Sequence, residues 1–170
     1  MPKIAIIIAF QRFRDEEFFV PYELFIKEKY QVTVFSSQKG IATGKLGKNF
    51  NVEHTIDELN VSGYDAVMFV GGSGGYDYIG NETIKKIIIE TVAQNKYLTA
   101  ICMAPLLLAQ SGVMKGKKST VFYDEKDNIG KYEAIYIDKP VVTDGKIITG
   151  NGPAAAKAFA ETIISRLHGS

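Results

Sequence analysis

Short apolar runs that alternate with helical patterns constrain the fold of this chain more than any other feature. The first run, KIAIIIA from Lys3, is continuous and rich in β-branched residues, as is typical of a strand covered on both faces. Further strand-like runs are QVTVFSS from Gln31, YDAVMFV from Tyr64 and YLTAI from Tyr97. Strands that alternate with helices form parallel sheets with helices on both faces. The sequence therefore predicts an α/β fold, a three-layer sandwich around a mostly parallel sheet.

The segments between these runs carry helix and turn signals. Amphipathic patterns predict helices over residues 15–29, 81–95, 104–112 and 154–167, the first of them kinked or restarted at Pro21. The turn-rich residues 40–55 predict a small β-hairpin, and PVVTDGKIITG predicts a second hairpin around Asp144-Gly145. STVF, residues 119–122, is predicted to be a further strand. Because no repeat or linker divides the chain, a single domain over residues 1–170 is expected.

Composition and charge exclude several classes of protein. The chain has 170 residues, of which 46% are hydrophobic, and this is enough for the core of one α/β domain. Lys and Arg number 20 and Asp and Glu number 19, so no strongly basic surface is predicted that would bind nucleic acid. The apolar run after Met1 is too short to span a membrane and lacks the features of a signal peptide. We expect a cytoplasmic protein with no nucleic-acid or membrane partner.

Cys102 is the only cysteine, and His54 and His168 are the only histidines. No internal disulfide, metal site or other cofactor is therefore predicted. Cys102 lies between the strand YLTAI and a predicted helix, so its thiol is expected to face the helix N-terminus, which lowers the pKa of a thiol and favours the thiolate. A lone cysteine also fits a small hydrophobic core residue, but the strand–cysteine–helix context favours a functional role.

Two other segments fall at the carboxyl ends of predicted strands, where ligand sites form in such sheets. VGGSGGYDY, from Val70, contains glycines whose amides are free to approach an anion or an oxyanion, although glycines at a strand end also serve tight turns. FRDEEFF, from Phe13, offers Glu16 or Glu17 as a carboxyl group directed toward the same crevice. Acids at a helix start also serve as solvated partners of the helix dipole.

AICMAPLLLAQSGVMKGKKST, from Ala100, resembles the nucleophile-elbow signature of the ThiJ/PfpI (DJ-one) superfamily. Three further stretches resemble segments of that superfamily in the same order: the segment with a glutamate before VPYELF, then YDAVMFVGG, then ITGNGPAAAKAFA. The resemblance therefore spans nearly the whole chain. It implies a flavodoxin-like fold of the class I glutamine amidotransferase type. It also implies that Cys102 is the elbow cysteine, that Glu17 contacts its thiol, and that Gly72 and the Met103 amide are oxyanion-type donors.

Met103 departs from one branch of that superfamily. Members that resemble the intracellular peptidase carry a histidine directly after the cysteine, whereas a thioether neither accepts nor donates a proton there. In some other branches a histidine lies in the segment after the STVF-type strand, which here reads YDEKDNIGKYEAIYID and contains none. Tyr123, Asp124 or Glu125 would then line the pocket, together with Gly71.

Two hypotheses from different classes follow. In the first, the Cys102 thiolate attacks a small electrophile such as an α-oxoaldehyde or its adduct, Glu17 transfers the proton, and the Gly72 N–H stabilises the oxyanion in a glyoxalase-like or deglycase-like reaction. In the second, the thiolate is oxidised to a sulfinic acid in a stress sensor or protector without turnover. A cysteine peptidase or amidase is the alternative that the missing histidine weakens.

The first helix is predicted to leave an apolar surface uncovered. Its aromatic residues, among them Phe18 and Tyr22, offer more apolar area than one face of a sheet ordinarily covers, and such a patch favours a partner subunit. Members of the superfamily that this chain resembles commonly form symmetric dimers, and in the peptidase-like branch an acid from the neighbouring subunit completes the site. We therefore predict a homo-oligomer, either a two-fold homodimer or a larger assembly, with part of residues 18–25 at the interface, Cys102 close to but not within it, and Asp77 as the candidate acid.

Overall fold

The structure, a computed structural model, describes residues 1–168. Its strands are β1 (Lys3–Ile7), β2 (Gln11–Phe13), β3 (Gln31–Ser36), β4 (Gly40–Gly44), β5 (Asn49–Val52), β6 (His54–Thr55), β7 (Ala66–Phe69), β8 (Tyr97–Ile101), β9 (Lys118–Ser119), β10 (Ile135–Tyr136), β11 (Val141–Asp144) and β12 (Ile147–Gly150). Its α-helices are α1 (Asp15–Lys27), α2 (Glu82–Ala93), α3 (Pro105–Gln110), α4 (Lys126–Gly130) and α5 (Ala156–His168).

A seven-stranded sheet forms the middle layer, in the order β11-β12-β8-β7-β1-β3-β6. Every neighbouring pair is parallel except β11 and β12, which form the predicted hairpin. Helix α1 packs against α5, whereas α2 and α4 pack against α3, so that helices form both outer layers. This confirms the predicted α/β fold. Within residues 1–168, no helix is both long and apolar enough to cross a bilayer.

The segment STVF does not form the predicted strand of the central sheet. Only Lys118–Ser119 is extended in a strand, and it pairs with β10 in a separate two-stranded sheet. The next backbone donors have other partners, because the Thr120 N–H bonds the Thr149 hydroxyl at 3.0 Å and the Phe122 N–H bonds the Cys102 carbonyl at 2.6 Å. The segment therefore crosses the end of the sheet and contacts the elbow instead of extending a strand.

Helix α1 is continuous through Pro21 and ends slightly before its predicted end. Lys29 adopts a left-handed conformation with φ 63°, and the Tyr30 N–H bonds the Phe25 carbonyl at 3.0 Å, a geometry that closes a helix. Phe18 and Phe25 are fully buried on either side of Pro21. Packing of these rings offsets the one backbone donor that proline lacks, so the helix is not restarted there.

A small sheet of β2, β4 and β5 covers the aromatic side of α1. Phe50 of β5 lies edge-on to Phe18, with ring centroids 4.9 Å apart, and contacts Tyr22 with centroids 5.4 Å apart. Phe18 is consequently fully buried within the chain and needs no partner subunit to cover it, whereas Tyr22 stays partly exposed. The homodimer itself stays a prediction, which light scattering at micromolar concentration would test.

Candidate active site

Cys102 lies on a sharp turn between β8 and the short helix α3, at the carboxyl end of the sheet. Its backbone has φ 65°, a left-handed conformation that a non-glycine residue adopts only when its surroundings hold it there. The Cys102 N–H bonds the Gly150 carbonyl at 2.9 Å, and the Cys102 carbonyl accepts the Phe122 N–H. These two bonds hold the strained turn of a nucleophile elbow.

Glu17 approaches the elbow from the first turn of α1. Its side chain is fully buried, and its Oε1 accepts the Gly71 N–H at 3.1 Å. Its other oxygen, Oε2, is buried and accepts no hydrogen bond from a nitrogen or oxygen atom within residues 1–168. The carboxyl group interacts with the Cys102 thiol by hydrogen bonding and by charge.

Glycine is required at Gly71 and Gly72 by close contact and by backbone conformation. A Cβ atom on Gly71 would lie 2.6 Å from the Cys102 Cβ and 2.7 Å from Glu17 Oε1, so any side chain would push the carboxyl and thiol groups apart. Gly72 has φ 102°, which side chains disfavour. Its N–H and that of Met103 are hydrogen-bonded to the Cys102 sulfur and favour the thiolate.

Burial governs the protonation of the thiol and the carboxyl group. It raises the pKa of Glu17 to about 7, against the hydrogen bonds from Cys102 and Gly71. It also raises the pKa of Cys102 to about 12, together with the neighbouring charge of Glu17. The expectation that the helix start lowers the pKa of this thiol is therefore wrong, because α3 is short and the amide bonds are weaker than desolvation. Glu17 ionises first, and the carboxylate then faces a protonated thiol.

A pocket of about 170 Å³ leads to the thiol, whose residue is 9% exposed. Besides Cys102 and its neighbours Gly72 and Met103, two cations, two hydroxyl groups and two apolar side chains line it: Arg14, Lys45, Ser73, Tyr76, Phe122 and Pro153. Larger hollows on the described surface are lined by other residues and do not reach Cys102. The pocket has room for a small molecule, not for a folded polypeptide.

The three consecutive acids at the start of α1 have different environments. Glu17 faces Cys102, whereas Glu16 lies outward and pairs with Arg14, whose Nε and Nη2 donate at 3.1 and 3.0 Å. Asp15 is buried and accepts the Leu46 and Lys48 N–H groups at 2.7 and 3.0 Å. Of the two candidates from sequence, the structure thus brings Glu17, and not Glu16, to the thiol.

Several residues predicted to line the pocket lie outside it. Tyr123 is 62% exposed and packs under the Lys126 ammonium group, 4.6 Å from the ring centroid, because the chain turns outward after Phe122. Asp124 is exposed. Glu125 is nearly buried, and its Oε1 accepts a hydrogen bond from Asn128 at 3.3 Å.

Asp77 is exposed and pairs with Arg12 at 3.6 Å, and its role toward a neighbouring subunit stays a prediction. Neither histidine lines the pocket, since His54 lies beside Glu58 and His168 beside Glu28.

The sequence did not indicate Lys45, Tyr76 or Phe122 as pocket residues. Tyr76 directly precedes the predicted Asp77 in a 3₁₀ turn, Ser73–Tyr78, and only its backbone geometry decides which of the two faces inward. Whether Lys45 lines the pocket depends on how the β4–β5 hairpin folds back onto α1. Phe122 is the last residue of the STVF segment, and the strand predicted for that segment did not place its side chain in the pocket.

Comparison with known proteins agrees with this geometry. The model of the DJ-1/PfpI family matches residues 2–166. The chain is 38% identical to an uncharacterised protein of Methanocaldococcus jannaschii, over 97% of this chain and 82% of that protein. It is 29% identical to the deglycase PfpI of Pyrococcus furiosus, over 95% and 98% of the two chains. The crystal structure of a ThiJ/PfpI domain protein from Brachyspira murdochii superposes with a TM-score of 0.95 at 26% identity, covering 99% of this chain and 97% of that one. The chain belongs to the DJ-1/PfpI family.

Proposed function

We propose that the protein uses Cys102 to add to small electrophilic carbonyl compounds, in a reaction of the glyoxalase or deglycase type. The observation that carries this proposal is the pairing of a pocket-lining thiol with a fully buried carboxyl group whose pKa is raised to about 7. A general base works best when its pKa lies near the working pH. The deglycase name of the Pyrococcus furiosus relative supports the same class of substrate.

The reaction begins with transfer of the thiol proton to Glu17. The Glu17 carboxyl group is hydrogen-bonded to the thiol, and its Oε1 also accepts the Gly71 N–H. As the proton leaves, the Cys102 sulfur forms a bond to the carbonyl carbon and the π electrons move to the oxygen. The proton on Glu17 then passes to that oxygen, which gives a neutral hemithioacetal.

Amide groups beside the sulfur stabilise the developing negative charge. The Gly72 and Met103 N–H groups already donate toward the sulfur, and a carbonyl oxygen bonded through its carbon to that sulfur would lie within their reach. Met103 is 1% exposed, with its thioether packed against Gly75, so it contributes its backbone amide and no proton transfer. The peptidase alternative lacks support in this pocket, because no imidazole lines it.

Turnover of methylglyoxal tests the proposal. Purified protein is expected to consume methylglyoxal, whereas Cys102→Ala is expected to retain the fold and lose all turnover. Glu17→Asp is the matched control, because it retains a carboxyl group but withdraws it from the sulfur; it is expected to be slow but active. Equal turnover by the wild-type and Cys102→Ala proteins would contradict the proposal.

Oxidation of Cys102 to a sulfinic acid is the second candidate function. The hydrogen bonds that the Gly72 and Met103 N–H groups donate to the sulfur favour it, since they would also hold sulfinate oxygens. Each of two peroxide molecules would deliver one oxygen atom to the sulfur and be reduced to water. Under mild peroxide, peptide mapping is expected to find two oxygen atoms on Cys102 before any on buried Met103, with exposed Met1 as the reference. Such oxidation without methylglyoxal turnover would favour a sensor over an enzyme.

A further inference from the structure

Cationic side chains outnumber acidic ones in the lining of the Cys102 pocket, although one of the cations, Arg14, pairs with Glu16 outside the lining. Arg14 and Lys45 line it, and none of the other lining residues is acidic. Ser73 and Tyr76 add hydroxyl groups that can donate hydrogen bonds. Glu17 lies behind the thiol and is absent from the lining. An anion that enters the pocket therefore contacts a lining that has cations and hydrogen-bond donors and no carboxylate.

Lys45 is held at this place by its backbone. The Lys45 N–H bonds the carbonyl of Phe13, the last residue of β2, at 2.8 Å. The following turn wraps Asp15, whose two oxygens accept the Leu46 and Lys48 N–H groups. Asp15 is thus a positioning residue that fixes the turn from which the Lys45 side chain reaches the pocket.

The two cations keep capacity for a ligand. Lys45 forms no ion pair with a carboxylate within residues 1–168. Arg14 pairs with Glu16 through Nε and Nη2, which leaves its Nη1 outside that ion pair. Since clefts lined by one sign of charge concentrate ligands of the opposite sign, the pocket should discriminate between small molecules of the same shape and different charge.

We infer that the pocket selects small electrophilic carbonyl compounds that carry a carboxylate, such as aldehyde acids, over neutral ones of the same size. This inference rests on the proposed function, because it names the substrate class of the same thiol. The pocket volume of about 170 Å³ limits such a substrate to a few carbon atoms. Lys45 and Arg14 would bind the carboxylate while the carbonyl carbon faces the Cys102 sulfur.

Alkylation with a matched pair of reagents tests charge selection apart from turnover. Iodoacetate and iodoacetamide have nearly the same size, but only iodoacetate carries a carboxylate. In both reactions the sulfur forms a bond to the methylene carbon, iodide leaves, and Glu17 takes the thiol proton. The ratio of the iodoacetate to the iodoacetamide rate constant, divided by the same ratio for glutathione, is expected to exceed roughly tenfold at low salt and to fall as salt is added.

Two lysines of the same turn supply the variant and its control. Lys45→Met is expected to lower the normalised ratio about threefold or more, since it removes a cation from the pocket wall. Lys48→Met should leave the ratio unchanged, because the Lys48 ammonium group lies 4.8 Å from the centroid of the Phe19 ring and outside the pocket. Circular dichroism of both variants would verify that each retains the fold.

The outcomes separate this inference from the proposed function. A normalised ratio near one, with Cys102 reacting readily, would overturn the charge selection alone. A raised ratio that Lys45→Met leaves unchanged would overturn it as well, because other groups would then carry the effect. Failure of Cys102 to react with either reagent would overturn the proposed thiol chemistry and the charge selection together.

Discussion

The two sides of the first turn of α1 each contain a buried carboxyl group, and their surroundings differ. On the hairpin side, Asp15 is 3% exposed and both its oxygens accept backbone N–H groups. On the elbow side, Glu17 is 0% exposed, but only Oε1 accepts an N–H and Oε2 has no nitrogen or oxygen partner within residues 1–168. The two carboxyl groups are therefore alike in burial and differ in how many hydrogen-bond partners they have. A carboxylate with complete partners holds structure, whereas one that lacks a partner is available to exchange a proton.

The largest expected effect is on the reactivity of Cys102 when Glu17 is changed. Alkylation of the wild-type protein by iodoacetamide should rise with pH around a midpoint near 7, as Glu17 ionises and becomes able to take the thiol proton. Glu17→Gln should slow alkylation at pH 8 by roughly a hundredfold, the typical contribution of a general base, and should show no midpoint near 7. Stopped-flow or mass-spectrometric rates would measure this. A wild-type profile that rises only at the high pKa of the thiol would remove Glu17 from the proposed role.

An effect of similar size concerns stability, and its direction depends on pH. The folded pKa of Glu17 is raised from 4.5 to about 7, so the protonated form stabilises the fold below pH 4.5, and this contribution is lost as pH rises through 7. Glu17→Gln does not titrate, so it should be more stable than the wild type at pH 8, on the order of 3 kcal/mol at 1.36 kcal/mol per pKa unit. Urea unfolding at pH 4 and pH 8 measures the difference. An equal difference in unfolding free energy between Glu17→Gln and the wild type at both pH values would contradict the raised pKa of Glu17.

The smallest effect is expected on the hairpin side. Asp15→Asn keeps one acceptor oxygen but turns an NH₂ group toward the Leu46 or Lys48 N–H, which should lower the free energy of unfolding by about 1–2 kcal/mol. Glu16→Gln is the control, because its ion pair with Arg14 is partly exposed and should contribute less than about 1 kcal/mol. Thermal unfolding would rank the two variants. An Asp15→Asn protein as stable as Glu16→Gln would mean that the turn does not depend on Asp15.

Those parts of the fold that depend on local pattern were predictable from the sequence. KIAIIIA forms a buried central strand because its apolar run is continuous, and Asn81 caps α2 by accepting the Ile84 N–H at 3.0 Å. STVF has the residue types of a strand, but its backbone partners, Thr149 and Cys102, come from distant segments. No local pattern contains that information.

The candidate site likewise has residues that were predictable from local pattern and residues that depend on distant segments. The position of Cys102 after a strand, and of Glu17 on the helix after the first strand, follows from where parallel strands end. Whether Lys45 lines the pocket depends on the path of the β4–β5 hairpin. Whether Tyr76 lines it depends on which side of a 3₁₀ turn faces the pocket. The pKa of the Cys102 thiol was predicted to be lowered and is raised instead. Proximity to a helix start is visible in the sequence, but the depth of burial is not.

The backbone bonds of Cys102 have a consequence for synthesis of the protein on the ribosome. Its N–H is held by the carbonyl of Gly150, and its carbonyl by the N–H of Phe122, so both partners are translated after it. At roughly 5–20 residues per second, the strand that contains Gly150 is synthesised seconds after Cys102. Until that strand is made, the N–H of Cys102 lacks its folded partner and the elbow cannot enclose the thiol. The newly made chain therefore exposes to oxidants a thiol whose residue is only 9% exposed in the folded protein.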